Sequence, residues 1–246
     1  MTSPRLEDLK ILGLVPARGG SKGLPGKNIR PLAGKPLLAY AIATGAASRY
    51  VNRVVCTTDE PKIADIARDW GAEVPFLRPA EWAEDDTSDA PFTRHAIEWL
   101  RDNEDWTPDI VVILRPTCPL TRPADIDGAL EKLHEHRDAH SILGVVSAPK
   151  SPYKMLRPMN DGYLVPLITC EVPDQLNAAR QLLPPVFAQN GYIHIVRAEI
   201  VLRDNTAVGS RILPYDMGTE PIVDIDTEAD FALVEAMLAG REQDDS

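Results

Sequence analysis

The chain is poor in the residues that staple small secreted domains. Its 246 residues include only three cysteines, Cys56, Cys118 and Cys170. Their odd number, wide spacing and lack of a Cys-x-x-Cys pair argue against a disulfide scaffold or a structural zinc. No apolar run approaches the roughly 20 residues of a membrane span, and Met1 to Lys10 lacks a signal-peptide core. A cytoplasmic protein without membrane contact is the expectation. Aromatic residues are scarce at 6%, and 26 basic residues face 37 acidic ones for a net charge of −11. Nucleic-acid binding needs a basic stripe interleaved with stacking aromatics, so no nucleic-acid partner is expected.

One local deficit is more informative. No Asp or Glu occurs between Asp8 and Asp59, whereas Lys10, Arg18, Lys22, Lys27, Arg30, Lys35, Arg49 and Arg53 all lie there. Within this basic stretch the apolar run Ile11 to Val15 leads into Pro16-Ala17-Arg18-Gly19-Gly20-Ser21-Lys22-Gly23-Leu24-Pro25-Gly26-Lys27-Asn28. Closely spaced glycines let the backbone turn tightly and aim N–H groups at one centre, and Arg18, Lys22 and Lys27 add positive charge, a combination suited to a phosphate chain. The common signatures are absent. Ser21 stands where a P-loop needs its first Gly, Asn28 stands where its Ser or Thr would be, and there is no Gly-x-Gly-x-x-Gly.

Apolar, β-rich runs at Ile11 to Val15, Arg53 to Thr57, Ile110 to Leu114 and Ile142 to Val146 alternate with helix-period stretches near Leu37 to Ser48, Pro61 to Trp70, Ala90 to Arg101 and Ala124 to His134. The alternation predicts an α/β fold with a mainly parallel sheet, in which the loops after Val15, Thr57 and Leu114 converge on a ligand. A single domain over 1–246 is expected, with a proline-rich excursion at 147–185 that is too apolar for a free tether. Tyr192 to Val196 and Pro221 to Asp226 read as further strands. Thr227 to Leu238 reads as a closing helix capped by Thr227, with Asp230 three residues on. His134, His136 and His140 read as a solvated helix terminus, and Cys118, with no His nearby in sequence to activate it, as a buried thiol.

The glycine-rich stretch resembles the signature of the acylneuraminate cytidylyltransferases (CMP-sialic acid synthetases). Thr57-Thr58-Asp59, Leu77-Arg78-Pro79-Ala80-Glu81, Pro116-Thr117-Cys118-Pro119-Leu120-Thr121, Gln189-Asn190-Gly191-Tyr192 and Asp224-Ile225-Asp226-Thr227 follow the family's pattern in its order, from about Ile11 to Leu238. The resemblance implies a Rossmann-like, GT-A-type nucleotidyltransferase that joins CMP from CTP to an acidic sugar and releases pyrophosphate. It implies a homodimer whose contact is the 147–185 segment. It also implies a phosphate site at Ala17, Arg18, Gly19, Ser21, Lys22, Lys27 and Asn28, with Arg18 and Lys27 catalytic. Thr87, Ser88 and Asp89 stand where the family recognises base and ribose, and equally where a helix would be capped.

Asp224 and Asp226, two apart in a run read as β, are expected to point the same way and to need a cation; Asp226 as a plain helix cap is the alternative. The resemblance assigns both to Mg²⁺, with Mn²⁺ a possible substitute. The acceptor site departs from the family. Where Leu-Gln-Pro-Thr-Ser-Pro-Leu-Arg is usual, this chain has Leu114-Arg115-Pro116-Thr117-Cys118-Pro119-Leu120-Thr121. Where Phe-Arg-Pro-Asn-Gly is frequent, it has Phe187-Ala188-Gln189-Asn190-Gly191. Lys154 and Arg180 match basic positions of the family's dimerisation segment. Arg115, Pro116, Thr117, Cys118, Lys154, Arg180, Gln189 and Asn190 are therefore the expected acceptor site. Arg115 could offer a bidentate fork to a carboxylate, phosphonate or phosphate, which leaves legionaminate, pseudaminate, ketodeoxy sugar acids and phosphonates open as acceptors.

Overall fold

A computed structural model describes residues 4–20, 23–218 and 222–244. Its strands are β1 (Ile11–Pro16), β2 (Pro31–Leu32), β3 (Lys35–Pro36), β4 (Arg53–Thr57), β5 (Ile110–Ile113), β6 (Ser141–Ser147), β7 (Leu156–Pro158), β8 (Leu164–Pro166), β9 (Phe187–Arg197) and β10 (Ile212–Asp216). Its helices are α1 (Leu37–Ala47), α2 (Pro61–Asp69), α3 (Asp89–Glu104), α4 (Pro123–Glu135), α5 (Ala198–Asp204) and α6 (Glu228–Asp244). Six strands form one sheet in the order β10-β6-β9-β5-β1-β4. β1 pairs in parallel with β4 and β5, and β9 joins antiparallel to β5, with Ile110 opposite Arg197.

The first five residues of β1 and all of β5 are buried, so these strands read as unbroken apolar runs rather than as alternating ones, as central strands covered on both faces do. Leu12, Leu14, Val55, Val111 and Ile113 pack with Phe92, Ile97 and Leu100 of α3 on one side. Pro occupies the first turn of α2 and α4, where its missing N–H costs no bond. Gly45 lets α1 approach the sheet, because a Cβ there would stand 2.5 Å from the Leu114 side chain.

The chain divides into two compact units, Met1–Gly144 with Gly191–Tyr215 and Pro221–Ser246, and Val145–Asn190 with Asp216–Glu220. In the second, β7 and β8 form a hairpin turning at Gly162, whose φ is +87°. The buried Gln175 amide ties this unit together, donating to the carbonyls of Tyr153 (2.7 Å) and Ile168 (2.8 Å) and accepting from the Cys170 N–H.

The four leading strands and four leading helices form where the sequence predicts them, with ends shifted by a few residues at most. The strand expected over Pro221 to Asp226 does not form; among its described residues, Ile222 to Asp226 are irregular. The backbone N–H groups there go elsewhere. Ile225 donates to the Thr117 carbonyl (2.9 Å), while the Asp226 and Thr227 N–H groups donate to the Asp230 carboxylate (3.2 and 2.8 Å). The Thr227 hydroxyl accepts in turn from the Asp230 N–H at 3.2 Å, so the expected reciprocal cap of α6 is present.

Candidate active site

The parallel pairing brings the carboxyl ends of β1, β4 and β5 to one edge. There the Ala17 N–H donates to the Thr57 carbonyl (3.1 Å), extending the β1–β4 pairing by one residue. The Gly19 N–H donates to the Asp59 carboxylate (2.9 Å), and the buried Asn28 amide donates to the Arg18 carbonyl (2.9 Å), pinning the glycine-rich loop at both ends. Gly26 turns the loop with φ +67°. Ser21 and Lys22 lie outside the described residues. The loop after Thr57 thus meets the glycine-rich loop through Asp59, although Thr57, Thr58 and Asp59 do not themselves line the cleft.

The cleft has a volume of about 320 Å³, within the range of small-ligand sites. Arg18, Lys27 and Asn28 line one part of it, and Arg115, Pro116 and Thr117 another. Arg18 pairs with Asp85 at 2.5 Å, and the Lys27 ammonium donates to the Ile225 carbonyl (2.7 Å) and the Asp226 carboxylate (3.1 Å).

Asp224 and Asp226 are exposed and flank Ile225, which is fully buried against Leu24, Leu32, Leu37, Leu120 and Phe231. That anchor, rather than a strand pleat, turns both carboxylates away from the core. They are hard oxygen donors suited to Mg²⁺. Among the described residues no group of three or more acidic, His or Cys side chains could hold a metal, so a cation here would draw its other ligands from phosphate and water. Gly191, at φ +73°, backs this site. A Cβ on it would stand 3.5 Å from the Asp224 carboxylate and 3.6 Å from the Arg115 stem.

Thr87 lines the cleft, while Ser88 is exposed and holds the N-cap position of α3 without a side-chain bond to it. Asp89 begins the helix and is not its cap. Its carboxylate accepts from Arg115 Nη2 and lies 3.3 Å from His194 Nδ1. Burial works to raise the Asp89 carboxyl, but the His194 bond and the Arg115 charge outweigh it and hold the group below the usual carboxylate range. Arg78, quoted in a motif but not assigned to the site, also lines the cleft. It is buried with its guanidinium over Phe92 (4.5 Å) and donates to the Thr57 carbonyl (2.6 Å) and hydroxyl (3.1 Å). Burial lowers its pKa to about 10. Trp82, Glu84 and Asp85 line the cleft as well, in a stretch with no periodicity to single it out.

Cys118 is buried and does not line the cleft; burial first, then Asp224, pushes its thiol up to about 12. Lys154 and Arg180 belong to the second unit, where both are exposed and Arg180 donates to the Ser147 hydroxyl at 3.3 Å. Gln189 and Asn190 stand on β9 in the same unit. His136 is exposed at the end of α4, and His134 is bonded to Arg137 (2.9 Å), in keeping with a solvated terminus.

A mainly parallel α/β sheet whose first strand runs into a basic glycine-rich loop is the architecture of a nucleotide-binding enzyme. The fold is similar to that of a CMP:2-keto-3-deoxy-manno-octonic acid synthetase solved with CTP, at a TM-score of 0.67 and 17% identity over 94% of this chain and 99% of that one. Residues 12–156 match the cytidylyltransferase family, and the chain belongs to that family of enzymes. It is 33% identical to the CMP-N,N'-diacetyllegionaminic acid synthase of Legionella pneumophila, over 94% of this chain and 97% of that protein. It is 32% identical to an N-acylneuraminate cytidylyltransferase of Escherichia coli, over 91% of this chain but 51% of that longer protein.

Proposed function

We propose that this protein transfers CMP from CTP to an acidic sugar of the acylneuraminate-like nonulosonate class and releases pyrophosphate, in the cytoplasm, where CTP is made. The observation that carries the reading is that two cations, Arg18 and Lys27, and one carboxylate, Asp226, line a single cleft. Nucleotidyl transfer needs no covalent nucleophile from the protein. An acceptor oxygen attacks the α-phosphorus and pyrophosphate leaves, so catalysis consists of alignment and charge neutralisation. Arg18 and Lys27, with Ser21 and Lys22, hold the triphosphate and offset the charge that develops on the departing pyrophosphate. Ala17, Gly19 and Asn28 keep the loop in shape for this, and Thr87, which lines the cleft beside Ser88, serves the nucleoside. Mg²⁺ or Mn²⁺ held by Asp224 and Asp226 would supply Lewis-acid stabilisation of the phosphate oxygens.

The acceptor's identity rests on the two relatives, one named for a diacetyllegionaminate product and one for acylneuraminate. Pro116 and Thr117 with Arg115 form the acceptor side, and Lys154, Arg180, Gln189 and Asn190 complete it through a homodimer of the second unit. Pyrophosphate release measured with each nucleoside triphosphate against N-acetylneuraminate, N,N'-diacetyllegionaminate, ketodeoxynonulosonate and a small phosphonate tests the reading. CTP and one nonulosonate are expected to be required together, and release with none of these acceptors would overturn it.

A further inference from the structure

The segment that bears Asp224 and Asp226 is irregular, and its Ile225 N–H donates to the Thr117 carbonyl at 2.9 Å. Where that carbonyl stands therefore bears on where the two carboxylates stand. Thr117 lies in loop 115–121, in which Pro116 and Pro119 supply no N–H. Three side-chain hydroxyls lie within bonding distance of carbonyls of this loop: Thr121 of Cys118 (2.8 Å), Thr44 of Thr121 (3.1 Å) and Tyr192 of Leu120 (3.0 Å). The Tyr192 hydroxyl has a single hydrogen and two acceptors for it, the Leu120 carbonyl and the Asp125 carboxylate at 2.9 Å, and it accepts from the Arg122 N–H at 3.0 Å. With either acceptor, it ties β9 to the point where the loop enters α4. Tyr192 is buried and does not line the cleft, so its effect on the reaction must pass through the loop. Its strand lies between β6 and β5 in the sheet. The preceding Gly191 stands against both partners, since a Cβ there would lie 3.7 Å from the Cys118 sulfur and 3.5 Å from the Asp224 carboxylate.

We propose that Tyr192 is a positioning residue: with Thr121 it braces loop 115–121, so that the Thr117 carbonyl holds Ile225 and keeps Asp224 and Asp226 in place for a divalent cation. This deepens the proposed function, on which its consequence for metal use rests. It also gives a role to a tyrosine that the sequence shows only as the last residue of Gln189-Asn190-Gly191-Tyr192.

The test compares Tyr192→Phe, which keeps the ring and removes the hydroxyl, with Ser48→Ala, which removes a buried hydroxyl bond to Asp127 of α4 (2.7 Å) that does not involve the loop. Hydrogen–deuterium exchange of the ligand-free protein, read by mass spectrometry, is expected to speed up about three- to tenfold in both 115–121 and 222–227 of Tyr192→Phe, because loss of the brace lets the two segments open together. Ser48→Ala is expected to leave 222–227 as in the wild type. Pyrophosphate release with CTP and the acceptor that the wild type turns over then gives the Mg²⁺ concentration for half-maximal rate. In Tyr192→Phe it should rise by a similar factor, with kcat at saturating Mg²⁺ within about twofold of the wild type. Faster exchange confined to 115–121, equal acceleration of 222–227 in Ser48→Ala, or an unmoved Mg²⁺ titration would each overturn the proposal. The exchange measurement needs no turnover, so a wild type inactive with every acceptor would overturn the proposed function, and exchange would decide the brace alone. Circular dichroism checks that each variant is folded. If Tyr192→Phe does not fold, Thr121→Val, which removes the hydroxyl bond to the Cys118 carbonyl, is expected to give the same pattern and decides in its place.

Discussion

The Lys27 ammonium lies 3.1 Å from the Asp226 carboxylate and 2.7 Å from the Ile225 carbonyl, so residues 199 apart in sequence join the glycine-rich loop to the acidic one. Lys27 is the more buried partner, with 14% of its side chain exposed against 73% for Asp226. The proposed phosphate-binding and metal-binding groups thus already share a bond.

Asp226→Asn is expected to leave the fold intact, because Asp226 is exposed and Lys27 keeps its bond to the Ile225 carbonyl. Turnover should fall on the order of 10²-fold or more, as a cation held by two carboxylates loses one of them. Pyrophosphate release in Mg²⁺, in Mn²⁺ and after EDTA measures this, and undiminished turnover of the wild type in EDTA would refute the metal assignment.

Arg18 is paired with Asp85 at 2.5 Å, and each side chain is about one-third exposed. A triphosphate that binds Arg18 must compete with that carboxylate. Arg18→Ala should lower turnover on the order of 10²- to 10³-fold, as loss of a preorganised donor commonly does. Asp85→Asn should lower the CTP KM, by about two- to fivefold given the modest strength of a partly solvated pair. Steady-state kinetics at saturating acceptor separates the two, and an Asp85→Asn enzyme with a raised CTP KM would place Asp85 among the groups that help bind CTP.

Most of the fold was legible because buried central strands write themselves as apolar runs: Ile11 to Val15 and Ile110 to Leu114 leave little else to be. The glycine-rich loop was legible because its chemistry is local. The irregular Asp224 to Asp226 segment was not, since its backbone bonds run to Thr117 and to the Asp230 side chain, and only the folded chain brings Thr117 there. The Asp89–Arg115–His194 cluster joins residues 26 and 79 positions apart and has no sequence signature. Asp89 looked like a helix cap because Asp is common there. Arg78 was visible within a motif, but that it lines the cleft while bonded to Thr57 is set only by the folded chain.

The three cysteines should differ in reactivity. Burial pushes the Cys56 and Cys118 thiols up to about 12, so at pH 8 both remain protonated, and the nucleophilic thiolate appears only as pH rises toward that value. Cys170 is half-buried. Iodoacetamide at pH 8 followed by peptide mass spectrometry should label Cys170 first, and Cys118→Ser should retain most activity. Rapid labelling of Cys118 in the native protein, or loss of activity on its replacement, would reinstate a chemical role for it.

The second unit exposes 74% of Tyr163, 59% of Leu164 and 65% of Leu182, an apolar surface that a symmetric two-fold contact would cover. Sedimentation equilibrium at micromolar concentration is expected to give a dimer. Leu164→Glu should shift it toward monomer and, if Lys154 and Arg180 serve the acceptor site across that contact, raise the acceptor KM more than the CTP KM. A stable, fully active monomer would contradict both statements.

The cap of α6 gives a test that links stability to metal affinity. The Asp230 carboxylate accepts from the backbone of Asp226 and Thr227, and the Thr227 hydroxyl donates to it at 2.7 Å while accepting from the Asp230 N–H at 3.2 Å. Thr227→Ala removes one orphan-donor partner at the helix start and should destabilise the protein by about 1 kcal/mol. The same change loosens the carboxylate that fixes the Asp226 backbone. The Mg²⁺ concentration for half-maximal pyrophosphate release should therefore rise severalfold, while activity at saturating Mg²⁺ stays near wild type. Thr227→Ser keeps the hydroxyl and is expected to restore both properties. If Thr227→Ala lowers the melting temperature but leaves the Mg²⁺ titration unmoved, the cap stabilises the helix alone and does not position Asp226.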